Sequence, residues 1–322
     1  MPAALFAASR ASGRARVAET VCILGAAGFV GARALRRFTA GGCRVRVLAH
    51  RREVPANVDI VRGAADDAGA LERALVPDCV VLNFVYGGAD DARRIAQAIG
   101  AACARRKVRR LVHISSIDVY GATPGTLIDE RSPCQPETEY QRAKHACEEI
   151  VAAAARSAYE LVILRPAAVF GPGGRNLESL ALRTLGDAWP RRYLRACVMG
   201  RRRMHVVDVE CVAAAAQWAA SAPLAEAGER FIVSQDDEPQ NEYAALEAFF
   251  AERFGRSRYP LPPVPLPGGL HRLALRLAGR SDAEPRRRYS GAKLAARGFA
   301  GPRPMAEALD EYAAWIRQRI EG

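Results

Sequence analysis

The sequence predicts an α/β fold: a doubly wound parallel sheet with a smaller C-terminal part. Three observations predict it. Short apolar runs alternate with helix-period segments through the first half of the chain. The run from Cys79 to Phe84 is continuous, as strands covered on both faces by helices must be. The first run leads through closely spaced glycines straight into a helix.

That first unit is Val21 to Leu35. Val21-Cys22-Ile23-Leu24 reads as a buried strand, and Gly25, Gly28 and Gly31 follow at three-residue spacing. Val30, Ala34, Leu35 and Phe38 then form a helical stripe that stops at Gly41-Gly42. In this setting Gly25 permits a tight turn, Gly28 lets backbone N–H groups approach a pyrophosphate, and Gly31 lets the helix pack on the strand. The helix N-terminus then faces the phosphates. A Rossmann-type dinucleotide site follows, with Gly25, Ala27, Gly28, Phe29 and Val30 against the cofactor.

Arg44 to Ala49 reads as the second strand. NAD-binding proteins commonly place an acid at its end for the ribose 2′-hydroxyl. Here the chain continues with His50, Arg51 and Arg52. A guanidinium grips a 2′-phosphate that an acid would repel, so NADP(H) is the preferred cofactor and NAD(H) the alternative. Asp59 to Val61, Cys79 to Phe84 and Arg110 to Ile114 are the next strands. The helices Ala70 to Leu75 and Asp90 to Arg106 connect them, the second with Ile95 and Ile99 on one face. Ligands of such a sheet bind at the carboxyl ends of its strands.

The fifth strand runs into Ser115-Ser116-Ile117-Asp118, and a helix over Glu137 to Arg156 carries Tyr140 and Lys144 four residues apart on one face. A free phenol has a pKa of about 10, so work near neutrality needs about three units of lowering, or about 4 kcal/mol. A lysine ammonium one turn away and a cationic nicotinamide can supply it. Ser116 would hold a substrate oxygen against Tyr140. Lys144 is one of three lysines in a chain that otherwise uses Arg, and Arg cannot give up and retake a proton.

With these residues the chain resembles the extended short-chain dehydrogenase/reductase family, also called the NAD-dependent epimerase/dehydratase family, over nearly its whole length. The resemblance is carried by Gly-Ala-Ala-Gly-Phe-Val-Gly at 25–31, Ser-Ser-Ile-Asp-Val-Tyr-Gly at 115–121 and the Tyr140/Lys144 pair. Leu-Arg-Pro-Ala-Ala-Val-Phe-Gly-Pro-Gly at 164–173, Met-His-Val-Val-Asp-Val at 204–209 and Phe-Ile-Val-Ser at 231–234 add to it. It implies hydride transfer at a carbinol or ketone. Ser116 would polarise the oxygen, Tyr140 move its proton, and Lys144 bind the nicotinamide ribose, with Pro166 and Val169 beside the cofactor. It also implies a homodimer through the helices at 90–106 and 139–156.

Departures from the family pattern narrow the chemistry. Ala64 stands where relatives carry an aspartate for adenine, so Asp66 or Asp67 is the expected substitute. Phe84, Val85 and Tyr86 replace small residues beside the cofactor. Ile117 and Asp118 replace the acid pair of the 4,6-dehydratases, and an isoleucine cannot protonate a leaving hydroxyl, so sugar dehydration is not expected. Ala168 replaces an asparagine of sugar-nucleotide members, whereas Arg201, four before His205, matches an arginine that grips a substrate diphosphate. Tyr86, Asp118 and Arg201 are the residues expected to face the substrate.

The 322 residues are 50% hydrophobic, enough for a substantial core. No apolar run reaches the roughly 20 residues of a membrane helix, so no membrane partner is expected. The net charge of +12 is spread over arginines without interleaved aromatics, which argues against nucleic acid. Eight scattered cysteines and no clustered His argue against a disulfide or metal framework and for a cytoplasmic protein.

The expected organisation is a flexible extension over 1–19, a dinucleotide-binding domain over 20–170 with strand and helix returns from about 204–235, and a mainly substrate-binding part over 171–322. In the last, 176–185, 207–220, 241–254 and 305–320 read as helices, with Tyr243, Leu246 and Phe249 on one apolar face. A proline-rich connector spans 259–269, and Gly121 to Thr126 and Arg175 to Leu177 join the cleft. Three functions stay open at this point: an oxidoreductase acting on a sugar nucleotide or related hydroxylated metabolite, an NADPH-dependent reductase of a lipid-like or steroid-like ketone, and a non-catalytic cofactor sensor.

Overall fold

The structure is a computed structural model that describes residues 20–321 except 56, 227, 258, 265–268 and 271–285. The expected 1–19 extension lies outside the described residues, as does part of the 259–269 connector. In chain order the elements begin with β1 (Thr20–Leu24), α1 (Phe29–Ala40), β2 (Arg44–Ala49), β3 (Asp59–Arg62), α2 (Ala68–Ala74), β4 (Val80–Asn83), α3 (Ala89–Arg105) and β5 (Arg110–Ile114). A 3-10 turn over Ile117–Tyr120 leads to β6 (Leu127–Ile128), α4 (Glu139–Ala155), β7 (Glu160–Pro166) and β8 (Ala168–Phe170). Then come α5 (Glu178–Gly186), α6 (Trp189–Met199), β9 (Val206–Asp208), α7 (Val209–Ser221), β10 (Glu229–Val233) and α8 (Tyr243–Arg253). β11 (Arg288–Tyr289), α9 (Ala292–Ala296) and α10 (Met305–Glu321) close the chain.

Seven strands form one sheet in the order β10-β7-β5-β4-β1-β2-β3. Every ladder from β3 to β7 is parallel. The order reverses between β4 and β1, which is the switch point where such sheets open a crevice at their carboxyl ends.

The chain divides into two compact units. The first holds the chain up to Val119, then Pro136–Pro166 and Glu210–Phe231. In its core α3 and α4 lie side by side, with Ile99 and Val151 fully buried. Gly100 makes the approach of these helices possible, because a Cβ there would come 2.8 Å from the Cβ of Ala154.

The second unit holds Tyr120–Gln135, Ala167–Val209 and the chain from Ile232 onward. Its core gathers Phe170, Leu246, Phe250, Tyr312 and Ile316. Two short parallel pairs, β8 with β9 and β6 with β11, belong to it.

Three details differ from the sequence reading. The helix expected from 207 starts at Val209, because the preceding valines pair with β8 as a strand. Phe250, not Phe249, completes the buried stripe with Tyr243 and Leu246, since seven residues bring it back onto the face of Tyr243. α6 was not anticipated from the sequence; Pro190 sits in its first turn, where a missing N–H costs nothing.

Candidate active site

The turn after β1 is shaped by what its glycines lack. Gly25 has φ +83°, and the Gly28 N–H donates to its carbonyl at 3.0 Å. A Cβ on Gly31 would lie 2.1 Å from the Gly25 carbonyl oxygen, so α1 packs on the turn only because that residue is glycine. A Cβ on Gly25 itself would press on the Phe84 carbonyl carbon at 3.1 Å, across the switch point.

A cleft of ≈ 830 Å³ opens there, wholly within the first unit. Gly25, Ala27 and Gly28 form one wall, and His50, Arg51 and Arg52 project exposed from the end of β2 to form another. Phe84, Val85 and Tyr86 close the side below β4. Phe29 and Val30 lie in the first turn of α1 and are not among the lining residues. Asp66 lines the cleft and pairs with Arg94 at 2.6 Å. Asp67, the other expected partner for adenine, is engaged elsewhere: its carboxylate accepts the Ala70 N–H at 3.1 Å and caps α2.

α4 starts where a capping box fixes it. The Gln141 N–H donates to Thr138 Oγ1 at 3.2 Å, and the Thr138 N–H donates to Gln141 Oε1 at 3.0 Å. Tyr140 therefore stands in the first turn and Lys144 one turn on. The Lys144 Nζ donates to the Ile114 carbonyl at 3.4 Å and lies 4.4 Å over the ring of Tyr86. That ring meets Tyr140 edge-on, with centroids 5.3 Å apart. Ser116 Oγ donates to Asp118 Oδ2 at 2.9 Å and accepts the Asp118 N–H at 3.2 Å.

Burial dominates the electrostatics of the Tyr140/Lys144 pair. The Tyr140 phenol is pushed up to about 12, first by burial and then by the Asp118 carboxylate; a hydrogen bond from Ser116 pulls the other way. Burial lowers Lys144, against upward contributions from Cys147, Glu148 and Asp118.

Behind Lys144 lies a buried polar group that sequence reasoning missed. Glu148, one further turn along α4, takes a bidentate ion pair from Arg165 at 2.9 and 2.6 Å. Burial alone would raise its carboxyl, but the Arg165 hydrogen bonds and charge outweigh that and hold it low. On the adjacent strands β4 and β5, Asn83 faces His113 in register, with Nδ2 3.0 Å from the ring Nδ1. Asn83 Oδ1 also accepts the Val85 N–H at 3.0 Å, fixing the chain that leads to Tyr86. Burial pushes His113 down to about 4, with Lys144 adding to the effect. Polar residues at the carboxyl ends of two otherwise apolar strands were the available signal.

The remaining expected residues stand on other elements. Pro166 ends β7, buried. Val169 sits on β8 and Arg201 is exposed just past α6, both in the second unit. Gly121 to Thr126 and Arg175 to Leu177 also belong to the second unit.

Residues 21–234 match the model of the NAD dependent epimerase/dehydratase family. The chain is 29% identical over 171 residues, 48% of its length, to the sterol demethylase protein B of Methylococcus capsulatus. It is 29% identical over 188 residues, 51% of its length, to the UDP-glucose 4-epimerase of Azospirillum brasilense. It covers 52% and 53% of those two proteins, about half of each. A solved UDP-glucose 4-epimerase of Thermus thermophilus in complex with NAD superposes with a TM-score of 0.68 at 22% identity, covering 92% of this chain and 99% of that one.

Proposed function

The chain belongs to the NAD-dependent epimerase/dehydratase family, and from that premise we propose that it is an NAD(P)-dependent oxidoreductase with Tyr140 as its acid/base. Its reaction is hydride transfer at a carbinol or ketone of a sugar-nucleotide-like or related hydroxylated metabolite. The observation that carries this reading is the convergence of Ser116, Tyr140 and Lys144 in the same unit as the glycine-lined cleft.

The residues present suit a dinucleotide. Gly25 and Gly31 leave room where any Cβ would collide, and α1 opens with free N–H groups toward an anion. A bound nicotinamide supplies the hydride acceptor or donor and, when oxidised, a positive charge. In the oxidative direction Ser116 donates a hydrogen bond to the substrate oxygen, and the Tyr140 phenolate takes the hydroxyl proton as the C–H electron pair departs with hydrogen. In the reductive direction Tyr140 returns that proton. Lys144 binds ribose hydroxyls and offsets the phenolate charge. Arg51 and Arg52 stand at the end of β2 with no acid before Glu53, which supports NADP(H) as the preferred cofactor. In this reading Arg201 is a substrate contact and Val169 a cofactor contact. The protein works in the cytoplasm as a homodimer through α3 and α4.

A second reading, reduction of a lipid-like ketone, draws on the apolar wall of Phe84, Val85 and Tyr86 and on the relative named sterol demethylase protein B. One experiment tests the chemistry common to both. Purified protein with NAD(P)⁺ or NADPH is assayed against UDP-hexoses and against steroid ketones and alcohols, with Tyr140→Phe in parallel. Turnover in one class that falls about 10²- to 10⁴-fold in the variant is expected. Equal turnover by both proteins would contradict Tyr140 as the proton carrier.

A further inference from the structure

We propose that the outward face of α6, together with residues 259–264 beside it, docks on an anionic lipid bilayer. α6 buries an arginine beside Ala196 and exposes large apolar side chains. Its inward side carries Arg192, 3% exposed, whose Nε donates to Glu247 at 2.6 Å. Its outward side carries Leu194, 65% exposed, and its first residue, Trp189, is 48% exposed. Pro190, Cys197 and Val198 are three or four residues from Leu194 and share its side.

Tyr193 ties this helix to the connector. Its hydroxyl donates to the Pro262 carbonyl at 3.3 Å, and its ring meets Tyr259 and Trp189 edge-on at 5.5 and 6.4 Å. The connector contributes Leu261 and Val264, 66% and 70% exposed. Four large apolar side chains thus project into solvent from one corner of the second unit.

The same corner is basic. Asp187, immediately before α6, pairs with Arg195 and feels Arg191 and Arg183 as well, and its carboxyl is held below the usual range. One carboxylate among three guanidiniums leaves an excess of positive charge. Exposed Trp and Leu beside arginines form an interfacial pattern: apolar groups enter the acyl boundary while guanidiniums take lipid phosphates. A second copy seated here would set the two arginine groups against each other. Side chains projecting separately, rather than lining a pocket, suit a fluid surface. The net charge of +12 adds long-range attraction to an anionic leaflet. No helix among the described residues is long and apolar enough to cross a membrane; the docking proposed is to a bilayer surface and departs from the sequence expectation of no membrane partner.

The test is sedimentation of the full chain with vesicles of phosphatidylcholine and phosphatidylglycerol, and with phosphatidylcholine alone, at low and high salt. At least about tenfold stronger partition onto the anionic vesicles is expected, weakened by salt. The double substitution Trp189→Ser, Leu194→Ser should reduce it about tenfold or more, and Arg191→Gln about fivefold. Far-ultraviolet circular dichroism and dinucleotide titration, unchanged in the variants, report that they fold. Equal partition onto both vesicle types, no partition at all, or unchanged partition by folded variants would overturn the proposal. So would a variant that altered only the monomer–dimer equilibrium, because a second copy would then be the occupant.

Discussion

The Lys144 ammonium lies 4.4 Å over the ring of Tyr86, and the edge of that ring faces Tyr140. One aromatic side chain therefore touches both members of the expected acid/base pair. It stands on a loop followed by Gly87 and Gly88, the latter at φ +93°.

A sugar hydroxyl that binds the Lys144 ammonium on the side this ring covers must replace the ring. Tyr86→Ala is therefore expected to tighten dinucleotide binding by about three- to tenfold in calorimetric titration, within the worth of one cation–π contact. Tyr86→Phe keeps the ring and should match the wild type. Weaker binding by Tyr86→Ala would show that the tyrosine supports the dinucleotide instead.

Tyr140 is pushed up to about 12, and Asp118 is the largest charged contributor. The phenolate is the base for oxidation, so the rate of alcohol oxidation should rise with pH above neutrality. Asp118→Asn removes the nearby negative charge, favours the phenolate and should move this rise to lower pH. A profile that stayed in place would mean that Asp118 does not act on Tyr140 during turnover.

His113 is buried and pushed down to about 4, whereas an unfolded histidine titrates near 6.5. Between these values the unfolded chain binds more protons, so stability falls as pH drops through that window. The loss from neutrality to about pH 5 is about 2 kcal/mol for this group. Urea unfolding of wild type and His113→Phe should show a smaller acid-side loss in the variant. Parallel pH dependences would assign the acid sensitivity to other groups.

Much of this was legible in the sequence because it depends on local chemistry. The glycine spacing after Val21 reports a turn that only glycine can make, and the strands from β1 to β5 announce themselves as apolar runs of strand length. The four-residue spacing of Tyr140 and Lys144 sets a shared helix face whatever surrounds it. The rest depends on partners far along the chain. Nothing local to Glu148 reveals that Arg165 will meet it, and nothing in Tyr86 reveals that its ring will cover Lys144. Asp66 and Asp67 looked equivalent until the helix start consumed one of them. α6 was hidden because it buries Arg192 and exposes Trp189 and Leu194, which blurs the pattern by which surface helices are read.

The most direct test of the central claim, a dinucleotide-dependent hydride-transfer site in this cleft, is calorimetric titration with NAD⁺, NADH, NADP⁺ and NADPH. It should include wild type, Arg51→Ala and Gly31→Val. One saturable site is expected in the wild type, tighter for the phosphorylated forms. Arg51→Ala should weaken only those, by about tenfold, and Gly31→Val, whose Cβ would strike the Gly25 carbonyl, should abolish binding. Preference for NAD(H) with Arg51→Ala indifferent would overturn the 2′-phosphate assignment alone. Failure of the wild type to bind any of the four would contradict the account itself.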